Sequence, residues 1–253
     1  MGATLAAIQR FPVKSMTGES LESVTLTAGD LLPGDRQFAL AHGSTQFDAT
    51  APKYLTPAHF VVLKKQERLA QLAVRYNPDS QELTIERKGR QVCRGKIADA
   101  LGRTIIAQFF ADFLGPTGRG LPRLITADNH HFCDIPSRRL SLLNLASVTD
   151  LERVLRQPID PRRFRANLWI AGLAPWEEKT WIGKQVTLGA VTLKVDAAIQ
   201  RCPATNVDPD SAVRDVNIPL ALRRGFGHVN MGVYVEVLST GSIRRGDSFL
   251  PPA

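Results

Sequence analysis

Gln200-Arg201-Cys202-Pro203-Ala204-Thr205-Asn206-Val207-Asp208-Pro209-Asp210 is the stretch on which the reading of this chain turns. A cysteine stands beside an arginine and opens a polar, turn-forming tail with Pro203 near one end and Pro209 near the other. The strand-like run Val191-Thr192-Leu193-Lys194-Val195 delivers the chain to it. A neighbouring cation favours the thiolate, which is the nucleophilic and metal-binding form of cysteine. A soft thiolate also suits transition metals. Local chemistry therefore points Cys202 to function as a nucleophile, a redox sensor or a metal ligand, against the alternative of a small buried hydrophobe.

Outward from that stretch, the patterning is mostly that of short strands. Residues 4–11, 21–27, 37–41, 61–63 and 69–76 read as strands, Asn77-Pro78-Asp79-Ser80 as a turn, and 82–87 with 91–94 as a hairpin across Lys88-Gly89. The period then changes. Ala98, Leu101, Ile105, Phe109, Ala111 and Phe113 recur at helical spacing over 98–114, and Gly115-Pro116 stops the run. Beyond it, 124–126 and 140–143 read as strands, and a helix capped by Asn144 or Ser147 runs to about Leu155. Residues 164–172, 180–184, 186–190 and 229–238 read as further strands, 219–224 as a short helix, and 239–249 as a hairpin. The fold class is β-rich α+β: two interlocked β-barrel-like subdomains with a few short helices, divided as 1–115 and 116–253 across a soft boundary near 115–125.

Composition narrows the function classes. With 253 residues and 43% hydrophobic content the chain can build a sizeable core. A net charge of +8 favours anionic partners. The basic residues nevertheless fall as dispersed pairs (Arg138-Arg139, Arg162-Arg163, Arg223-Arg224, Arg244-Arg245) without any nucleic-acid-binding signature, so nucleic acid is not expected as a partner. Three widely spaced cysteines, Cys93, Cys133 and Cys202, argue for a reducing compartment. Cys93 and Cys133 read as core or incidental positions. No signal peptide and no transmembrane run is visible, so the expected location is the cytoplasm, away from membranes.

Other polar features are weaker singly. Arg165 and Asn167 lie two apart in an expected strand, which would turn both to one face; together they offer donors for a phosphate or a heterocycle edge, or simply a solvated face. Lys14-Ser15 lies in a loop after Pro12 but lacks Walker A glycine spacing. Arg36 ends the Leu32-Pro33-Gly34-Asp35-Arg36 turn. The five histidines form no zinc-binding pair. Trp169, Trp176 and Trp181 read as core, with a substrate mouth as the alternative.

In order and spacing, these segments resemble a known family. Phe11-Pro12-Val13-Lys14-Ser15 followed by Leu32-Pro33-Gly34-Asp35-Arg36 is similar to the N-terminal β-barrel region found ahead of MOSC domains. Phe164-Arg165-Ala166-Asn167, Trp181-Ile182-Gly183, Arg201-Cys202-Pro203-Ala204-Thr205 with Val207-Asp208-Pro209, and Gly241-Ser242-Ile243-Arg244-Arg245-Gly246-Asp247 resemble the MOSC domain itself. Ser211-Ala212 departs from the Thr-Gly usual in that family after Asp-Pro-Asp. The resemblance is nearest to the amidoxime-reducing branch. It implies the molybdenum cofactor, with Cys202 as metal ligand and catalytic residue, and with Lys14, Ser15, Arg36, Ser137, Arg165, Asn167 and Arg201 contacting the pterin and its phosphate. It implies a molybdenum-dependent oxidoreductase that reduces small N-oxygenated substrates. No Cys cluster and no iron–sulfur domain accompanies the chain, so electrons are expected from a separate iron–sulfur or flavin protein. The alternative is a cofactor carrier or a sulfur-transfer protein bearing a persulfide on Cys202.

Overall fold

The computed structural model describes residues 2–115 and 119–252. Its strands are β1 (Thr4–Arg10), β2 (Glu19–Leu21), β3 (Ser23–Leu26), β4 (Ala39–Ala41), β5 (Leu72–Asn77), β6 (Glu82–Arg87), β7 (Arg90–Lys96), β8 (Arg123–Ile125), β9 (Leu140–Asn144), β10 (Leu168–Ala171), β11 (Gln185–Leu188), β12 (Val191–Gln200), β13 (Asn230–Val237), β14 (Gly241–Arg244) and β15 (Phe249–Leu250). The α-helices are α1 (Ala100–Leu114), α2 (Leu145–Leu155) and α3 (Ile218–Phe226). The architecture is β-rich with three helices among the described residues, as the patterning predicts.

One eight-stranded sheet runs in the order β15-β11-β12-β13-β9-β10-β1-β2. It is antiparallel except for the β9–β10 pair. Alternation sends Leu5, Ile8, Leu142, Leu168, Ile170, Leu193, Val195, Val233 and Val235 to one face, where they form a buried core. The sheet curls back on itself, because Leu5 N–H donates to Asp247 O at 2.9 Å and Phe249 N–H to Ala3 O at 2.8 Å. The N-terminal and C-terminal parts are thus interlocked: β1 pairs with β10, and β3 pairs with β14.

A second core gathers β5, β6 and β7 with α1. Asp99 caps α1 by accepting the Gly102 N–H, so the helix begins two residues after the expected start. The buried face is Gly102, Ile106, Phe110 and Phe113, while the expected core residues Leu101 and Ile105 are exposed. The reason is Gly102: a Cβ there would stand 2.0 Å from Lys96 O, so the helix meets β7 backbone to backbone on that side. Gly115, with φ 71, closes the helix. Pro116 and the expected subdomain boundary beside it lie outside the described residues.

Three expected strands take other forms. Residues 61–63 lie in a loop tied to Leu40 by one backbone bond, Val61 N–H to Leu40 O at 2.8 Å. Residues 177–181 form a 3-10 turn that buries Trp181 and Glu178. Residues 164–167 precede β10 rather than belonging to it: Pro161 starts a 3-10 turn capped by Asp160, and the chain leaves it through a left-handed Arg165. Asn144 does cap α2, its side chain accepting the Ala146 N–H at 3.0 Å.

Candidate functional site

At the end of β12 the chain passes Gln200 and Arg201 and presents Cys202, an exposed cysteine, to a cleft of about 680 Å³. Lys14, Ser15 and Arg36 reach this cleft from the loops after β1 and before β4, and Ser137 from the loop before β9. Arg165, Asn167 and Arg201 complete the wall. All eight residues that the resemblance assigns to the cofactor therefore line one cavity, although Lys14 and Cys202 lie far apart in the chain.

The backbone needed for this convergence is unusual. Ser15, Arg36 and Arg165 all sit at positive φ, at 66, 51 and 49 degrees for Ser15, Arg165 and Arg36 respectively. Left-handed backbone at non-glycine residues costs about 1–3 kcal/mol each and clusters at functional sites. Arg36 is held by its own backbone, its N–H donating to Phe11 O at 2.7 Å and its C=O accepting the Phe132 N–H at 2.8 Å. The buried Asp35 accepts the Phe11 N–H at 2.7 Å and also pairs with the Arg36 guanidinium. The same-face argument for Arg165 and Asn167 fails, since Arg165 is not in a strand. It is the left-handed turn that brings both to the cleft.

Lys14, Arg36, Arg165 and Arg201 differ in how they are balanced. Lys14 is buried and donates to Phe132 O at 2.8 Å and to the Asp134 carboxylate. Arg36 suffers from burial, but Asp35, Cys133 and Asp134 outweigh that and raise its pKa. Among the described residues Arg165 and Arg201 form no ion pair with a carboxylate. Burial brings Arg165 down to about 9, with Arg36 adding repulsion, and brings Arg201 down to about 10. Arg165 donates one nitrogen to Met16 O; Arg201 donates Nε to Met231 O and Nη1 to Phe164 O, both at 2.8 Å. The second terminal nitrogen of each, Nη2, is buried without a partner. A buried donor left unsatisfied is costly, and doubly so on a cation. The cleft is therefore built to accept an anion.

Asn167 has a different part. It is 1% exposed, and its Oδ1 accepts from Ser141 N (3.1 Å), Ser141 Oγ (2.8 Å) and, more distantly, Arg36 Nη1 (3.5 Å). Its Nδ2 donates to Gln9 O at 3.1 Å. The amide is engaged within the protein and braces β1, β9 and Arg36 behind the cleft.

The sequence reading missed several cleft residues. Cys133, expected to be incidental, lines the cavity between the Lys14 and Arg36 side chains; burial pushes its thiol up to about 11. Tyr234 reaches the same wall from β13, and burial raises its phenol as well. Both keep their protons at neutral pH. Cys93 is buried in the second core, as expected. Arg163, read only as half of a basic pair, is 5% exposed and also lines the cleft. None of these carries a local sequence signal.

The loop after Cys202 is closely tied. The Cys202 carbonyl accepts from Thr205 N (3.1 Å) and Oγ1 (2.9 Å). Asp208 Oδ1 takes the Ser211 N–H and hydroxyl, both at 2.8 Å. Ala212 adopts φ 60, a left-handed conformation reached here without glycine. A neighbouring cavity of about 580 Å³ shares Ser15, Arg163 and Arg165 with the cleft and is floored by Ala7 and Trp169. Trp176 packs against Phe226, and Trp181 lies in the main core.

A curled β-rich chain whose two ends build one cleft, with an exposed cysteine among under-balanced cations, defines the class. The chain belongs to the MOSC-domain proteins: the MOSC N-terminal beta barrel domain matches residues 2–116 and the MOSC domain residues 127–249. Among curated proteins it is similar to mitochondrial amidoxime reducing component 2 of Macaca fascicularis, 26% identical over 96% of this chain and 82% of that protein. It is also similar to molybdenum cofactor sulfurase of Caenorhabditis briggsae, 27% identical over 60% of this chain and 21% of that protein. The crystal structure of the YuaD protein from Bacillus subtilis aligns with 98% of this chain and 94% of its own at 13% identity and a TM-score of 0.46.

Proposed function

We propose that this chain binds the molybdenum cofactor and reduces small N-oxygenated substrates, such as N-hydroxylated bases, with electrons from a separate iron–sulfur or flavin protein. One observation carries the reading: a single cleft holds an exposed thiol at Cys202 and two half-buried guanidiniums, Arg165 and Arg201, each with a buried Nη2 that has no hydrogen-bond partner among the described residues. Among the described residues no group of three or more His, Cys, Asp or Glu is placed to hold a metal ion. A metal here needs most of its ligands from a cofactor, and a pterin bearing dithiolene sulfurs and a phosphate supplies both those ligands and the missing negative charge. Cys202 would ligate the metal. Lys14, Ser15, Arg36, Ser137, Arg165 and Arg201 would hold the anionic pterin, with Asn167 bracing them. When bound, the cofactor supplies two-electron redox chemistry. The net change is an amidoxime plus two electrons and two protons giving an amidine and water. Tyr234 and Cys133 keep protonated groups on the wall of the same cleft. The relatives named amidoxime reducing component support this chemistry.

The same reading divides the chain at 115/116 into an N-terminal β-barrel subdomain and a MOSC domain, and places the protein in the cytoplasm. No helix among the described residues is long and apolar enough to cross a membrane. A second reading rests on the exposed Cys202 and the sulfurase relative: a carrier or sulfur-transfer protein with a Cys202 persulfide.

The test is molybdenum and pterin analysis of protein purified from a cofactor-competent host, beside Cys202→Ser, followed by amidoxime reduction with an artificial electron donor. Stoichiometric molybdenum, its loss in Cys202→Ser, and turnover by wild type are expected. Well-folded wild type without molybdenum or pterin would overturn the cofactor reading. Molybdenum without turnover, with a persulfide trapped on Cys202 by mass spectrometry, would favour sulfur transfer.

A further inference from the structure

Arg163 is a buried cation that no property of the cleft so far requires. It lies in the 3-10 turn Pro161–Phe164, and its side chain is 3% exposed. Its guanidinium points into the loop that follows Cys202. Nη1 donates to Asn206 O at 3.1 Å, and Nη2 donates to Asp208 Oδ2 at 2.9 Å and Asp215 Oδ2 at 2.7 Å. Two of those partners, Asn206 and Asp208, are themselves anchors. Asn206 Oδ1 accepts the Ile218 N–H at 3.0 Å at the start of α3. Asp208 organises the turn through Ser211, as described above. The strand-like bridge Val207–Arg214 lies between these points. One side chain therefore ties the loop at both ends and joins it to the turn that sets Arg165.

The neighbours grip the same loop from outside. Arg162 pairs with Asp210 through both terminal nitrogens, at 3.0 and 2.6 Å. Arg214 donates to Pro203 O at 3.1 Å and to Lys64 O at 2.8 Å. These two are surface contacts, and surface ion pairs contribute little. Arg163 is different, since its charge is buried and balanced by two carboxylates that would otherwise face each other. Breaking a buried pair by removing one partner is strongly destabilising locally. A lysine would keep the charge but has one nitrogen, which cannot span a carbonyl and two carboxylates as a planar fork does.

We infer that Arg163 is the positioning residue of Cys202: it holds the 202–215 loop so that the thiol enters the cleft beside Arg165 and Arg201. Its bearing on metal binding rests on the proposed function, but its effect on the thiol does not.

The test uses the full chain with Arg163→Lys, Arg163→Met and Asp215→Asn. Hydrogen exchange of residues 203–217 and the rate of Cys202 alkylation at one fixed pH, read by peptide mass spectrometry, are measured on the cofactor-free protein. Molybdenum retention on dialysis and the number of sulfur neighbours at the metal edge are measured on the loaded protein. Arg163→Lys is expected to lose loop protection, to change the Cys202 alkylation rate severalfold, and to retain molybdenum about 10–100-fold less tightly, as for other residues that orient metal ligands. One sulfur neighbour should disappear while the pterin stays. Asp215→Asn should move the same quantities less, and it keeps the test open if Arg163→Met fails to fold. Unchanged loop protection and alkylation in both Arg163→Lys and Asp215→Asn would overturn the inference. Molybdenum held equally by wild type and Cys202→Ser would instead sink the metal-ligand reading and leave the thiol measurements to judge Arg163.

Discussion

Asn167→Ala separates bracing from ligand contact. The substitution deletes an amide that is 1% exposed and makes three hydrogen bonds of 3.1 Å or shorter, from Ser141 N and Oγ and to Gln9 O. The cavity is small, so the main cost is the buried Ser141 N–H and Gln9 carbonyl left without this partner. Each such group costs about 1–3 kcal/mol. The expected loss is therefore about 2–6 kcal/mol, which lowers Tm by about 4–24 °C for a chain of this size. Urea unfolding followed by tryptophan fluorescence and circular dichroism should show a lower midpoint at an unchanged slope. Arg36 also loses its 3.5 Å contact, so weaker anion binding should accompany the lost stability. A loss under about 1 kcal/mol would refute the bracing role. Full stability with abolished ligand binding would show that the amide faces the ligand instead.

Three further outcomes are expected. Burial raises the Glu178 pKa against the opposing hydrogen bonds from Asn144 and Ser147, so its contribution is largest on the acid side and is lost as pH rises through the raised value. Glu178→Gln should flatten the fall in unfolding free energy as pH rises above the ordinary carboxylate range, and an unchanged slope would contradict this. With its thiol at about 11 against an ordinary 9.0, Cys133 should react with iodoacetamide near pH 8 about a hundredfold more slowly than an ordinary thiol. Rapid labelling of native Cys133, mapped by mass spectrometry, would count against its burial. Gly232 has φ +72, and a Cβ there would lie 2.4 Å from Leu142 O and 3.3 Å from Arg201 Nη2. Gly232→Ala should cost about 2–4 kcal/mol and loosen Arg201; a calorimetric Tm within a degree or two of wild type would refute it.

What the sequence made legible follows from what each signal depends on. The strands β5, β6 and β7 and the helix α1 declare themselves by local period and turn residues. The buried face of α1 does not, because it depends on Gly102 touching a strand that only tertiary structure brings near. At the site, Arg201 and Cys202 are adjacent in the chain, so their chemistry shows locally. Lys14, Ser15, Arg36 and Ser137 entered through family resemblance, and the structure brings them to the same wall. Arg165 and Asn167 also come from the resemblance; the strand face they are expected to share does not form, and a left-handed turn at Arg165 brings them to the cleft. Cys133, Tyr234 and Arg163 stayed hidden because their importance comes from long-range partners that nothing in their neighbours announces.

The interlocked sheet also sets an order of events in time. Lys14 and Ser15 leave the ribosome early, but β1 must wait for β10 before its edge is paired, and β3 must wait for β14. At ordinary rates of synthesis the interval before Cys202 emerges is on the order of ten seconds or more. During it, apolar strand edges of the first part are unpaired, and contacts this distant in sequence form slowly. The cleft is complete only once Tyr234 on β13 has joined Lys14 and Arg36. Whatever occupies it must be captured after Cys202 and β13 have joined the sheet, and truncation within β14 or β15 should cost the sheet its closure onto β1 and β3.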